Sequence, residues 1–247
     1  CSSDLVQQGA GGNPFITASD KAAGDYFGAS VAMNSAGDRI VVGAYNADPG
    51  ATSAAGKAYI YVSGATGWVQ QGAGGNPFIS ASDKASIDNF GASVSMNAAG
   101  DRIVVGAYIA DPGATGAAGK AYVYVSGATG WVQQGAGGNV FISASDKAAS
   151  DQFGKSVSMN AAGDRIVVGA RLADPGATSA AGKAYIYVSG ATGWVEQGAV
   201  GNPFISASDK ASSDNFGVSV SMNAAGDRIV VGANYADPGA LADRKST

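Results

Sequence analysis

Residues 91–97 read GASVSMN, with apolar Val94 and Met96 alternating against small polar neighbours. Alternation with period two predicts a strand with one buried face. Residues 102–107 read RIVVGA. A continuous β-branched run of that length predicts a strand buried on both faces. Residues 120–125, KAYVYV, predict a third strand, with Tyr122 and Tyr124 opposed to Ala121, Val123 and Val125. A fourth strand is predicted to start at Trp131 and to resume over 141–144, after a Gly-rich interruption.

The connections are equally legible. Asn97-Ala98-Ala99-Gly100-Asp101 suits a tight hairpin, with Gly100 at the left-handed position of a type I turn plus bulge. Residues 108–119 form a loop broken by Pro112-Gly113, and residues 126–130 (SGATG) a short turn. Helical periodicity is nowhere evident.

The pattern recurs every 63 residues. Trp68, Trp131 and Trp194 keep that spacing, as do Phe27, Phe90, Phe153 and Phe216, each followed by glycine. Between residues 68–130 and 131–193 only nine positions differ. A unit of four short antiparallel strands cannot bury its own faces, so neighbouring units must stack. The expected fold is all-β: propeller blades, each a four-stranded antiparallel sheet, in an incomplete arc of about four blades. A β-solenoid is the competing architecture, but its rungs run to about 20–30 residues and lack two tight hairpins per unit. The units divide as 6–67, 68–130, 131–193 and a partial 194–240.

Residues 1–5 and 241–247 fall outside the repeat. Ser-Ser-Asp-Leu and Asp-Arg-Lys-Ser can be encoded by TCT-TCC-GAT-CT and GAT-CGG-AAG-AGC. These are reverse complements over most of their length and resemble a sequencing adapter. Both ends are therefore expected to be non-native read-through rather than part of the fold.

Composition narrows the chemistry. With 46% apolar and 14% charged residues in 247, the chain is too apolar and too patterned to be disordered. A net charge of −4, without a basic cluster, argues against a nucleic-acid partner. The apolar runs stop far short of the ~20 residues of a membrane span. There is no histidine, which removes the commonest general acid/base and transition-metal ligand. The single cysteine, Cys1, gives neither an intrachain disulfide nor a zinc cluster.

Phe90-Gly91 at the start of the first strand and Val105-Gly106-Ala107 at the end of the second recur in every unit. With SASDKASIDNFGASVSM, GDRIVVGA, GKAYVYV and GW in that order, the chain resembles the FG-GAP repeats of integrin α-chain propellers and bacterial surface proteins, from about residue 6 to 240. The resemblance implies a toroidal propeller, extracellular or on the cell surface, used for binding. The expected function is a non-enzymatic binding or adhesion module for a protein or glycan ligand. The alternatives are a structural surface array, or an accessory domain of an enzyme outside this chain. Many members of the family carry a calcium loop, D-x-D-x-D-G-x-x-D, between the first two strands. Here the hairpin 97–101 offers one amide and one carboxylate where calcium wants six to eight oxygens. The calcium site is read as lost, and no cofactor is expected.

Paired acids, Asp83 and Asp88, recur as Asp20/Asp25, Asp146/Asp151 and Asp209/Asp214, always beside Lys84 or its equivalents. A catalytic pair is needed once, not in every unit, so turn capping or a lysine pair is the reading preferred over glycosidase chemistry. Tyr122 and Tyr124 read as packing rather than as a sugar platform. Asp101-Arg102 and Asp111-Pro112-Gly113 read as turn and inter-blade chemistry. GAGGN lacks the Lys-Ser/Thr of a phosphate loop.

The differences between units gather near two connections, from the fourth strand to the next first strand and from the second strand to the third. Both are expected on one propeller face. The largest changes are Tyr45-Asn46, Tyr108-Ile109, Arg171-Leu172 and Asn234-Tyr235, the candidate ligand contacts. Finally, an open arc leaves two apolar blade faces uncovered, so self-association is expected.

Overall fold

A computed structural model describes residues 9, 15–72, 76–136, 138–198 and 202–237. The ends 1–5 and 241–247, and their reading as adapter sequence, lie outside the described residues. The first antiparallel sheet runs, in chain order, β1 (Phe27–Met33), β2 (Arg39–Ala44), β3 (Lys57–Gly64) and β4 (Gly67–Gln71). The second is β5 (Ser93–Met96), β6 (Arg102–Ala107), β7 (Lys120–Gly127) and β8 (Gly130–Gln134). The third is β9 (Phe153–Met159), β10 (Arg165–Ala170), β11 (Lys183–Gly190) and β12 (Gly193–Gln197). A two-stranded sheet follows, β13 (Ser219–Met222) with β14 (Ile229–Gly232). This is the all-β architecture of stacked, incomplete propeller blades. A unit counted from its tryptophan opens on the outer strand of the sheet before it, because β4, β8 and β12 pair back onto β3, β7 and β11.

Beyond the outer strand, the expected resumption over 141–144 is a single bridge. Ile142 exchanges both backbone hydrogen bonds with Ala121, at 2.9 and 2.8 Å, and pairing goes no further. The chain thus loops out through its glycines and is tied back to the third strand at one point.

The run RIVVGA is buried from Ile103 to Ala107, and its two faces enter two different cores. Ile103 and Val105, with Tyr122 and Tyr124, pack with Val41, Ala58 and Ile60 of the first sheet. Val104, Ala121 and Val123 pack with Phe153, Val157, Ile166 and Tyr185 of the third. Strand alternation therefore joins neighbouring blades, one face to each side. Tyr122 and Tyr124 are 0% and 3% exposed, packed tilted and edge-on against Phe90 with ring centres 5.4 and 6.0 Å away. They are core residues, as read.

The hairpins build the opposite face. Asn97 Oδ1 accepts from the amides of Asp101 and Arg102 at 3.1 and 3.0 Å, and Asn97 Nδ2 donates to Asp101 Oδ1 at 2.7 Å. Gly100 takes φ +72°, the left-handed geometry this turn needs. Each hairpin is then stitched to the next: Ser35 N donates to Ala98 O, Ala98 N to Ala161 O and Ala161 N to Ala224 O, at 3.0–3.2 Å. Arg39, Arg102 and Arg165 each reach Gly100, Gly163 and Gly226 carbonyls at 3.2 Å. In the recurring Asp-Arg pair the aspartate closes its own turn and the arginine reaches the next blade, so both the turn and the inter-blade roles hold.

Candidate functional site

On the other rim, the connection preceding each first strand meets the long loop of the blade before it. Ile87, Asn89 and Phe90 amides donate to Ser53, Ala54 and Ala55 carbonyls at 2.9, 3.2 and 2.9 Å. The two variable connections thus lie together on one face. Their backbone is shaped by short polar caps. Asp48, Asp111 and Asp174 accept from the amides of Ala54, Ala117 and Ala180 at 2.7, 2.6 and 2.6 Å. Asp88 Oδ2 accepts from Ala85 N at 2.7 Å, and Asp151 does the same for Ala148 at 2.8 Å. Burial pushes both carboxyls above the ordinary aspartate value, although these amides oppose the shift.

Asp83 has a different role. Its lysine is not the adjacent Lys84 but Lys120, 2.8 Å away on the third strand, and Tyr122 donates to its other oxygen at 3.0 Å. The recurring acids are scaffold in both halves, one capping a turn and the other holding a buried lysine. Among the described residues no three His, Cys, Asp or Glu side chains converge on a metal-sized site.

The rim also holds non-glycine residues at positive φ. Tyr26, Asn89, Gln152 and Asn215 take 55°, 57°, 60° and 58°, and Ile87, Ser150 and Ser213 take 69°, 68° and 71°. Such geometry costs on the order of 1–3 kcal/mol per residue and persists only where the surroundings impose it. It turns the side chains at 26, 89 and 152 toward the candidate pairs. Tyr26 stacks on Tyr45 with ring centres 5.0 Å apart and planes 10° apart. Asn46 Nδ2 donates to Gly24 O at 2.8 Å. Asn89 Nδ2 donates to Tyr45 O at 3.3 Å. Arg171 Nε donates to Gln152 Oε1 at 2.8 Å.

The structure brings several candidates into one row. Tyr45, Asn46, Tyr108, Ile109, Arg171 and Leu172 are all half-buried at the start of their loops. Lys155 lies 4.3 Å above the Tyr108 ring, so the third blade reaches onto the second. Burial raises the Tyr108 hydroxyl pKa, and the nearby Tyr45 adds to this while Arg171 works against it. Burial lowers the Lys155 pKa, and Arg171 lowers it further. Tyr45, Tyr108, Lys155 and Arg171 are thus electrostatic neighbours across three blades. Asn234 and Tyr235 stand apart on the fourth blade, both exposed, with Tyr235 beside Ser212, Ser213 and Asp237 in an open cleft.

Sequence reasoning missed Tyr26, Gln152 and Lys155 as members of this row. The signal was present. Position 26 is Tyr, Asn, Gln and Asn across the units, and position 29 is Ala, Ala, Lys and Val. Both vary within an otherwise constant repeat.

Among the described residues no helix is long and apolar enough to cross a membrane. No curated protein matches the chain. Four segments, 15–61, 78–124, 139–187 and 204–245, match the family described as FG-GAP repeat. With its glycine motifs placed at every blade seam and its units folded as stacked four-stranded sheets, the chain belongs to the FG-GAP repeat family.

Proposed function

We propose that the chain is a non-enzymatic binding module, extracellular or at the cell surface, that presents its variable rim to a protein or glycan ligand. One observation carries this reading. Units that are otherwise nearly identical differ where two loops meet, and those positions bear Tyr, Arg and Lys side chains held in a row. Aromatic and Arg residues are the usual anchors of an interface. The opposite rim repeats the same hairpin with its polar groups already paired between blades.

The test is a screen of the full chain against immobilised glycans and extracellular-matrix proteins. The double variant Tyr108→Ala/Arg171→Ala is expected to weaken capture about ten-fold or more, the scale of one or two hot-spot side chains. Its melting temperature should stay within a few degrees of the parent. Undiminished capture by the double variant would overturn the assignment of the rim.

A further inference from the structure

Between the first and second blades, at their outer edge, lies a cavity of about 280 Å³. One wall is the segment 76–80, which follows the first blade's outer strand and is tied back to β3 by the bridge between Ala58 and Ile79. The other is Tyr124 of β7 with Trp131 and Gln133 of β8, from the second blade. The Tyr124 hydroxyl donates to Ser80 O at 2.8 Å, and Ser82 N donates to Gln133 Oε1 at 3.1 Å. These bonds fix the two walls against each other, so the cavity is formed before any ligand arrives.

What the fold has already used decides which groups remain. Pro77 O accepts from Gln70 Nε2 at 2.6 Å, Ile79 exchanges both backbone hydrogen bonds with Ala58, and Ser80 O takes the Tyr124 hydroxyl. Pro77 has no N–H. Little of this backbone is left to pair with an added peptide strand. The side chains differ. Among the described residues no hydrogen bond engages the Asn76 amide, the Ser80 hydroxyl or the Trp131 indole N–H. Trp131 is 6% exposed, and the indole nitrogen of its counterpart Trp194 is buried without a partner. A buried N–H left unpaired is costly, and beside a cavity an acceptor on a ligand satisfies it.

The lining also selects the ligand. None of its side chains is charged, so an ion entering it would be left without a counter-charge. A neighbouring cavity shares Asn76, Phe78 and Ser80 and reaches Lys84, which confines charge to the far end of the groove. Phe78, Tyr124 and Trp131 supply aromatic surface, and Asn76 and Ser80 supply donors and acceptors. A sugar ring has the matching duality, with C–H faces and hydroxyl edges. The same residue types recur at the next seam as Asn139, Phe141, Ser143, Tyr187 and Trp194, with Glu196 replacing Gln133. A site repeated along the array suits a ligand that itself repeats, because each further contact adds avidity.

We infer that this seam cavity holds a neutral sugar ring of a repeating polysaccharide. None of the candidate rim residues lines it, so the inference does not depend on the rim reading. Titration calorimetry of the 247-residue chain tests it with cellotetraose, mannotetraose, galactotetraose and chitotetraose, against tetragalacturonate and decaproline as charged and peptide controls. At least one neutral tetrasaccharide is expected to bind ten-fold or more tightly than both controls. It should also shift the tryptophan emission, which a ligand on the rim alone would leave unchanged. Trp68→Phe/Trp131→Phe/Trp194→Phe keeps a ring in every blade but removes each indole N–H, and should lose at least ten-fold in affinity. Those side chains are largely enclosed, so Asn76→Ala/Asn139→Ala, at two exposed positions, decides the matter should the triple variant not fold. It should lower the number of sugars bound per chain while leaving the melting temperature unchanged. No binding of any tetrasaccharide, a control that binds as tightly, an unmoved tryptophan emission, a folded triple variant of full affinity, or an asparagine variant of full stoichiometry would each overturn the site.

Discussion

Gly106→Ala is expected to break the seam between the second and third blades, at about 3 kcal/mol or more. A methyl group there would lie 2.0 Å from the Gly154 carbonyl oxygen and 2.3 Å from Ser93 Oγ. Ser93 can rotate, although it would give up its 2.8 Å hydrogen bond to that same carbonyl. Gly154 cannot retreat. Its φ is +86°, and its own Cα faces the Lys120 carbonyl so closely that an added carbon would sit 2.4 Å from it. Overpacking a core costs about 1–3 kcal/mol where side chains can yield, and backbone against backbone yields less. Gly113→Ala is the control. That glycine also has positive φ, at +76°, but nothing lies within 4 Å of the added carbon, so only about 1 kcal/mol of left-handed strain is expected. Chemical denaturation measures both. Because a repeat array is held by its nearest-neighbour interfaces, Gly106→Ala should also split the unfolding transition in two. A loss below 1 kcal/mol would show that the seam has slack the structure does not reveal.

The glycines of the family motif were legible as a pattern before they were legible as contacts. Phe-Gly and Gly-Ala recur at fixed phase, and the seam explains why: Gly43, Gly106 and Gly169 each face the following blade's Gly91, Gly154 and Gly217. The strands were also readable, since β-branched runs and alternation are local. What a repeat hides is which copy a residue touches. RIVVGA reads as buried on both sides, yet nothing local says that its faces enter separate cores. Asp83 lies next to Lys84 in sequence and pairs with Lys120 in space. The candidate row was half readable for the same reason. Tyr108 and Arg171 stood out as differences between units. Lys155 acquired meaning only when the third blade's first strand came to rest over the second blade's loop.

Asp83→Ala is expected to cost about 2–3 kcal/mol. Lys120 is 6% exposed at its side chain, and Asp83 29%. Removing one partner of a fully buried pair costs about 3–5 kcal/mol because the remaining charge has no counter-ion; the partial exposure of Asp83 lowers this. Tyr122 would also lose the acceptor 3.0 Å from its hydroxyl. The first blade shows the sign of the electrostatics. Burial works against ionisation of Asp20, but Lys57 and Tyr59 together outweigh it, and the pKa lies below the ordinary aspartate value. A depressed carboxyl pKa stabilises the fold above the unfolded-state value, and that contribution is lost as pH falls through the folded-state value. The lysine also has reasons beyond the aspartate for its place: its Nζ lies 4.5 Å above the Phe141 ring in a cation–π contact, and its methylene stem is buried. Asp83→Ala/Lys120→Met should therefore recover most of the loss, since an uncharged chain of similar length fills the same space without a counter-ion. A double-mutant cycle by urea denaturation measures the coupling directly. If Asp83→Ala costs less than 0.5 kcal/mol, or Lys120→Met fails to rescue it, the pair is a surface contact with a buried tail rather than a strut of the blade.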